Sequence, residues 1–113
     1  NRVVVMIDLN KRQLDGYTRD VMEPFDVAAK MQAFGFRVRT AAGADEADIA
    51  DCLDWARSVE GQAVCIVLDT VKGQGVPYFE QMADNHSVKF KEADIAAVDA
   101  ALERLDALCG GDD

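Results

Sequence analysis

Four residues in this sequence combine chemistry with placement that would suit a ligand: Asp8, Asn10, Lys72 and His86. Asp8 and Asn10 follow directly on the apolar run Val3 to Ile7, where a buried strand would open into a loop. In open parallel sheets, ligands bind just beyond the carboxyl ends of the strands. The amide oxygen of Asn10 is a hard, neutral donor suited to Mg²⁺ or Ca²⁺. The same two residues would equally serve as hydrogen-bonding partners of the turn that closes at Asp15-Gly16. Lys72 follows a second polar strand tip, Asp69-Thr70, and opens the stretch Lys72-Gly73-Gln74-Gly75. Glycines let backbone amides and an ammonium approach an anion such as a phosphate, although an ordinary solvated loop has the same composition. His86 is the only histidine and falls in a loop. An imidazole there suits phosphate contact or proton transfer, and it suits plain polar surface as well. The sequence has no Ser-His-Asp order, no Walker Lys-Ser/Thr and no Gly-x-Gly-x-x-Gly after its first strand, so phosphate recognition by several weak elements is what remains.

The elements that must position these residues alternate in type. Beyond the first strand, Glu23-Pro24 marks a helix start, with Phe25, Ala28, Ala29, Met31, Gln32 and Phe34 at mixed helical spacing up to a stop at Gly35. Phe36 to Thr40 alternates apolar and charged residues, as an edge strand does. After a loop at Ala41 to Ala44, Asp45 is a candidate N-cap for a second helix. Its face of Ile49, Cys52, Leu53 and Ala56 packs on a sheet, with Trp55 at the margin and a stop at Glu60-Gly61. Ala63 to Leu68 is unbroken apolar sequence and reads as a central strand covered on both faces. From Val71 to Phe90 periodicity disappears, and irregular loops of that length in a small domain are usually functional or disordered. Glu92 to Leu108 then predicts an amphipathic helix with Ile95, Val98, Leu102, Leu105 and Leu108 on one face, ended by Gly110-Gly111. Strands alternating with crossover-length helices predict an α/β fold with a parallel sheet and flanking helices.

Composition limits the partners. The chain has 113 residues, half of them hydrophobic, enough for one domain with a real core. Its 12 Lys and Arg against 21 Asp and Glu give a net charge of −9, which disfavours nucleic acid and anionic membranes. Cys52, Cys65 and Cys109 lack zinc or disulfide spacing and read as reduced, mostly buried thiols of a cytoplasmic protein. No run approaches the roughly 20 apolar residues of a membrane span, and the N-terminus has no export-signal pattern. The chain enters a strand directly after Asn1-Arg2, and three strands make a thin sheet. Residues 1–113 are therefore expected to be part of a longer polypeptide, with an upstream half elsewhere.

Taken together, the strand tip Ile7-Asp8-Leu9-Asn10 and the segment from Asp69 to His86 resemble the diphosphate-binding part of transketolases, which are thiamine-diphosphate enzymes. The resemblance runs from about Val3 to Phe90 and is carried by the joint spacing of its motifs. It implies that Asn10 ligates Mg²⁺ (or Ca²⁺), that Arg12 gives the metal its backbone carbonyl, and that Lys72 and His86 approach the cofactor. His86 would also face the sugar substrate, as a catalytic residue. Gly73, Gly75 and Glu80 keep the family pattern, whereas Ser87-Val88-Lys89 stands where His-Gly commonly follows the histidine. The family's upstream Gly-Asp-Gly and its pyrimidine-domain glutamate are not in this stretch. The implied activity is transfer of a two-carbon ketol unit between sugar phosphates, as in the pentose phosphate pathway. The isolated chain is expected to be inactive without a pyrimidine-binding domain or subunit, the complete assembly being a homodimer or heterotetramer. A related thiamine-diphosphate sugar-phosphate synthase, or a non-catalytic α/β binding module, would fit the same residues.

Overall fold

Val64-Cys65-Ile66-Val67-Leu68-Asp69 is rich in β-branched residues that favour a pleated, covered surface, and the computed structural model, which describes residues 3–110, makes it the middle of a sheet. Three strands, β1 (Val4–Leu9), β4 (Arg37–Ala42) and β5 (Val64–Asp69), lie parallel in the order β1-β5-β4. Two minor strands, β2 (Arg12–Gln13) and β3 (Gly16–Tyr17), pair antiparallel as a hairpin. The register aligns Leu9 and Ala42 with Asp69, so all three strands of the sheet end level at one edge. Asn1, Arg2 and the Gly111 half of the expected helix stop lie outside the described residues.

Residues Val64 to Val67 are all buried, as a central strand requires. Two short helices, α1 (Thr18–Val21) and α2 (Val27–Ala33), precede the longer α3 (Glu46–Ser58). The last packs Cys52 and Ala56 against Ala41, Val64 and Ile66, with Ile49, Leu53 and Trp55 around them. Asp45 caps this helix, as its sequence position predicts: its Oδ1 accepts from the Ala47 and Asp48 amides at 3.0 and 3.2 Å. Asp48 in turn accepts the Ala42 amide at 2.7 Å, which ties the tip of β4 to the first turn of α3.

Three expectations need correction. The first strand is not buried throughout: it runs on to Leu9 at the margin of the sheet, with Val4 and Met6 about half exposed at 47% and 48%. An apolar run cannot by itself distinguish one covered face from two. The helix expected from Glu23-Pro24 begins later, as α2, after the single turn α1. Phe25 takes φ 51°, outside the right-handed helix, and the cap is Asp26, whose Oδ1 accepts the Ala29 amide at 2.8 Å.

The chain divides after Val71 into two units, each with its own internal contacts. The second contains α4 (Pro77–Glu80), a helical turn inside the supposed irregular loop, and the long α5 (Glu92–Cys109). Pro77 at the first helical position is the local reason for α4. The third correction concerns α5, whose predicted apolar face stands largely open: Ile95, Leu102, Leu105 and Leu108 are exposed. The residues of α5 that turn inward are Asp94 and Ala101.

Candidate functional site

In the first unit, the strand tips are cross-linked by their own side chains. Asn10 Nδ2 donates to Asp8 Oδ2 at 3.0 Å, and Asn10 Oδ1 accepts the Arg12 amide at 3.0 Å. Only this orientation of the amide satisfies both neighbours, so the oxygen position is fixed by the network. The Thr70 hydroxyl donates to Asp8, and the Lys11 ammonium donates to the Asp69 carboxylate and the Thr70 carbonyl. β1 and β5 are thereby joined at their carboxyl ends. Lys11 takes φ 61°, which turns the chain into the hairpin, and there the Arg12 guanidinium lies 3.8 Å from the Tyr17 ring centroid. With that side chain occupied on Tyr17, the backbone of Arg12 is held close to Asn10.

A carbonyl oxygen has two lone pairs, so the single hydrogen bond to Asn10 Oδ1 leaves room for a hard cation. Among the described residues no cluster of three His, Cys, Asp or Glu side chains could hold a metal ion. Asn10 Oδ1 and the Arg12 carbonyl are oxygens of the hardness that Mg²⁺, which prefers about six oxygens, accepts.

In the second unit, the structure brings Lys72 and His86 together across fourteen residues of sequence. Lys72 Nζ lies 3.2 Å from His86 Nδ1. An ammonium has no acceptor, so Nδ1 accepts and the proton of the neutral ring sits on Nε2. Asn85, next to His86, donates from Nδ2 to the carbonyls of Lys72 and Phe79 at 3.1 and 2.8 Å and folds the loop on itself. Gly73 has φ 81°, and a Cβ there would lie 3.0 Å from Phe79 Cβ and 3.2 Å from Asn85 Nδ2. Gly75 has φ 96°, and its amide donates to Glu80 Oε1 at 2.8 Å. Two positive-φ glycines thus follow directly on the lysine of a paired ammonium and imidazole, both nitrogen donors once an anion is offered. That donor set fits a diphosphate.

Sequence reasoning singled out Asn10, Lys72 and His86, and it missed side chains that hold the segments around them. Thr70 was read only as part of a polar strand tip, and Lys11 and Asn85 carried no motif. Asp94 had a readable signal, an acidic residue three positions into a helix: it is 4% exposed, accepts the Lys91 amide at 2.7 Å and accepts the Tyr78 hydroxyl at 2.8 Å. The Lys91 amide, with the Tyr78 hydroxyl, holds the Asp94 carboxyl below its ordinary range. The hydrogen bond to Asp94, with some burial, pushes the Tyr78 phenol up. Burial pushes the Cys52 and Cys65 thiols up.

Residues 1–104 match the family described as transketolase, thiamine diphosphate binding domain. The 6-deoxy-6-sulfo-D-fructose transketolase subunit SqwG of Clostridium sp. strain MSTE9 is 31% identical over 106 residues, which cover 92% of this chain and 38% of that protein. One of the subunits of apulose-4-phosphate transketolase, from Actinobacillus succinogenes, is 30% identical over 105 residues, covering 93% of this chain and 37% of its own. The protein of the same name from Phocaeicola vulgatus is 29% identical over 109 residues, covering 96% and 39%. The chain thus spans about two fifths of the length of these relatives.

Proposed function

This chain belongs to the transketolase thiamine diphosphate binding domain family, and from that premise we propose that it forms part of the cofactor-binding surface of a transketolase subunit that transfers a two-carbon ketol unit between sugar phosphates. When bound, thiamine diphosphate supplies the carbanion chemistry of carbon–carbon bond cleavage and formation. In this reading Asn10 Oδ1 and the Arg12 carbonyl are ligands of Mg²⁺. Lys72 gives its ammonium to the diphosphate oxygens, and His86 donates a ring N–H to the same group or to the sugar. The protein's contribution is charge, orientation and hydrogen bonds placed in advance.

The observation that carries the proposal is the Lys72–His86 pair at 3.2 Å, in a loop with two positive-φ glycines, made by the two residues that the resemblance implies approach the cofactor. All three relatives bear the names of transketolase subunits, which supports assembly with a second polypeptide carrying the pyrimidine-binding part. Their named substrates are a sulfosugar and a sugar phosphate, so an anionic ketose is the proposed substrate class. Three free cysteines, Cys52, Cys65 and Cys109, support a reducing, cytoplasmic setting. The test is ketol transfer by the complete polypeptide assembled with its partner, using an anionic ketose donor and an aldose acceptor. Turnover that requires both thiamine diphosphate and Mg²⁺ is expected. Cofactor-independent turnover, or none with any phosphorylated or sulfonated ketose, would overturn the proposal.

A further inference from the structure

We propose that α5 is a splint for the anion-binding loop, in which Arg104 and Asp94 act as positioning residues that hold Gly75 and Tyr78 and thereby set Lys72 and His86 for a diphosphate. The inference rests on the function proposed above and assigns work to residues outside the motif. The carbonyl of Gly75 accepts from the Arg104 guanidinium, while its amide donates to Glu80 Oε1 at 2.8 Å. Both polar groups of one glycine are therefore pinned by side chains. Gly75 needs such pins, because at φ 96° it occupies a region that only glycine enters freely and leaves as freely.

The second pin is the Tyr78 hydroxyl on Asp94 Oδ1 at 2.8 Å, with Asp94 Oδ2 fixed by the Lys91 amide at 2.7 Å. Asp94, Ala97, Ala101 and Arg104 follow one another at three- and four-residue steps and share one face of α5. At the helical rise, the two pins stand roughly 15 Å apart along the axis, far enough to bracket α4. Between them, Ala97, Ala100 and Ala101 face Val76, Pro77 and Tyr78 across an open space of about 270 Å³. Small side chains and a gap supply little packing to lock the loop in place, so the two polar links decide where it lies. From Gly75 and Tyr78 the restraint reaches the paired groups through short chain. Lys72 is three residues from Gly75, and Asn85 joins the Lys72 and Phe79 carbonyls beside His86.

The test uses the complete assembled protein, titrated with thiamine diphosphate plus Mg²⁺ and separately with inorganic pyrophosphate, together with side-chain ¹⁵N spectra of His86 in the absence of ligand. Arg104→Met is expected to weaken both ligands by about tenfold, the loss of one charge-assisted hydrogen bond. It is also expected to shift the His86 ring nitrogens from an Nε2–H tautomer toward the mixture of free imidazole. Arg104→Lys, which keeps a cation in reach, is expected to recover most of the affinity. Unchanged affinity and unchanged ¹⁵N shifts in Arg104→Met overturn the inference. If Arg104→Met fails to fold, Tyr78→Phe is read by the same titration, with the same direction expected and an unchanged affinity overturning the splint. Failure of the unsubstituted protein to bind either ligand overturns the functional reading itself, and the splint with it. Binding that is indifferent to Arg104 and Tyr78 sinks the splint alone.

Discussion

Gly73→Ala and Gly75→Ala offer a matched pair of perturbations in the loop that begins at Lys72. Both glycines have positive φ, 81° and 96°, so an alanine at either position meets the same backbone penalty of about 1–2 kcal/mol. Their surroundings differ. A Cβ on Gly75 would meet nothing within 4 Å, whereas one on Gly73 would lie 3.0 Å from Phe79 Cβ, 3.1 Å from the Phe79 carbonyl carbon and 3.2 Å from Asn85 Nδ2. Carbon atoms prefer about 3.5–4.0 Å, and Phe79 contributes backbone, which cannot swing aside. Overpacking of this kind adds about 1–3 kcal/mol. The expected totals are about 1–2 kcal/mol for Gly75→Ala and about 2–5 kcal/mol for Gly73→Ala. Urea unfolding measures both, and amide exchange at Gly75, whose N–H is held by Glu80, localises the loss to the loop. Equal losses in the two variants, or a larger loss at Gly75, would refute the argument that the backbone at Gly73 is sterically committed.

Three further outcomes follow from the geometry. Asn10→Ala in the complete assembled protein is expected to weaken Mg²⁺-dependent cofactor binding by about tenfold or more; an unchanged Mg²⁺ titration refutes the metal role. The contact of Tyr78 with Asp94 should hold over a bounded pH range. With the Asp94 carboxyl lowered by the Lys91 amide and the Tyr78 hydroxyl, its stabilisation is full above about pH 4 and lost as pH falls through the lowered folded value. With the Tyr78 phenol raised by its bond to Asp94, its stabilisation is full below about pH 10 and lost as pH rises through the raised folded value. Exchange of the Lys91 amide reads this contact, and an Asp94→Asn variant that keeps the same acid limb would contradict the assignment. Alkylation of the folded chain should modify the exposed Cys109 and spare Cys52 and Cys65, which are fully buried; mass spectrometry showing three labels without denaturant would contradict the described core.

Much of the scaffold was legible because local signals and tertiary structure agree. Ala63 to Leu68 is apolar because β5 is covered on both faces, Phe36 to Thr40 alternates because β4 is an edge, and Asp45 stands where α3 needs an acceptor. The failures arose where two signals competed or where the partner surface cannot be seen in sequence. Pro24 imitates a helix start, but the left-handed Phe25 breaks the backbone and passes the cap to Asp26. The leucines of α5 read as a core-facing stripe, yet within this chain the inward face is Asp94 and Ala101. Asn10, Lys72 and His86 were singled out only through the family spacing. Physical pattern alone left each of them as ordinary loop chemistry. Arg104 was illegible, because nothing about an arginine on a helix announces a glycine carbonyl far back in the chain.

The central claim, that the paired ammonium and imidazole of this chain receive the diphosphate of the cofactor, is tested most directly by one titration. Thiamine diphosphate, at fixed Mg²⁺, is titrated by calorimetry into the complete assembled protein and into its Lys72→Ala and His86→Ala variants. Each substitution removes a hydrogen bond to a charged group, worth about 1.5–3 kcal/mol, so each is expected to weaken binding by roughly tenfold to a hundredfold. Affinity unchanged in both variants would contradict the account and leave the loop from Val71 to Phe90 a connector.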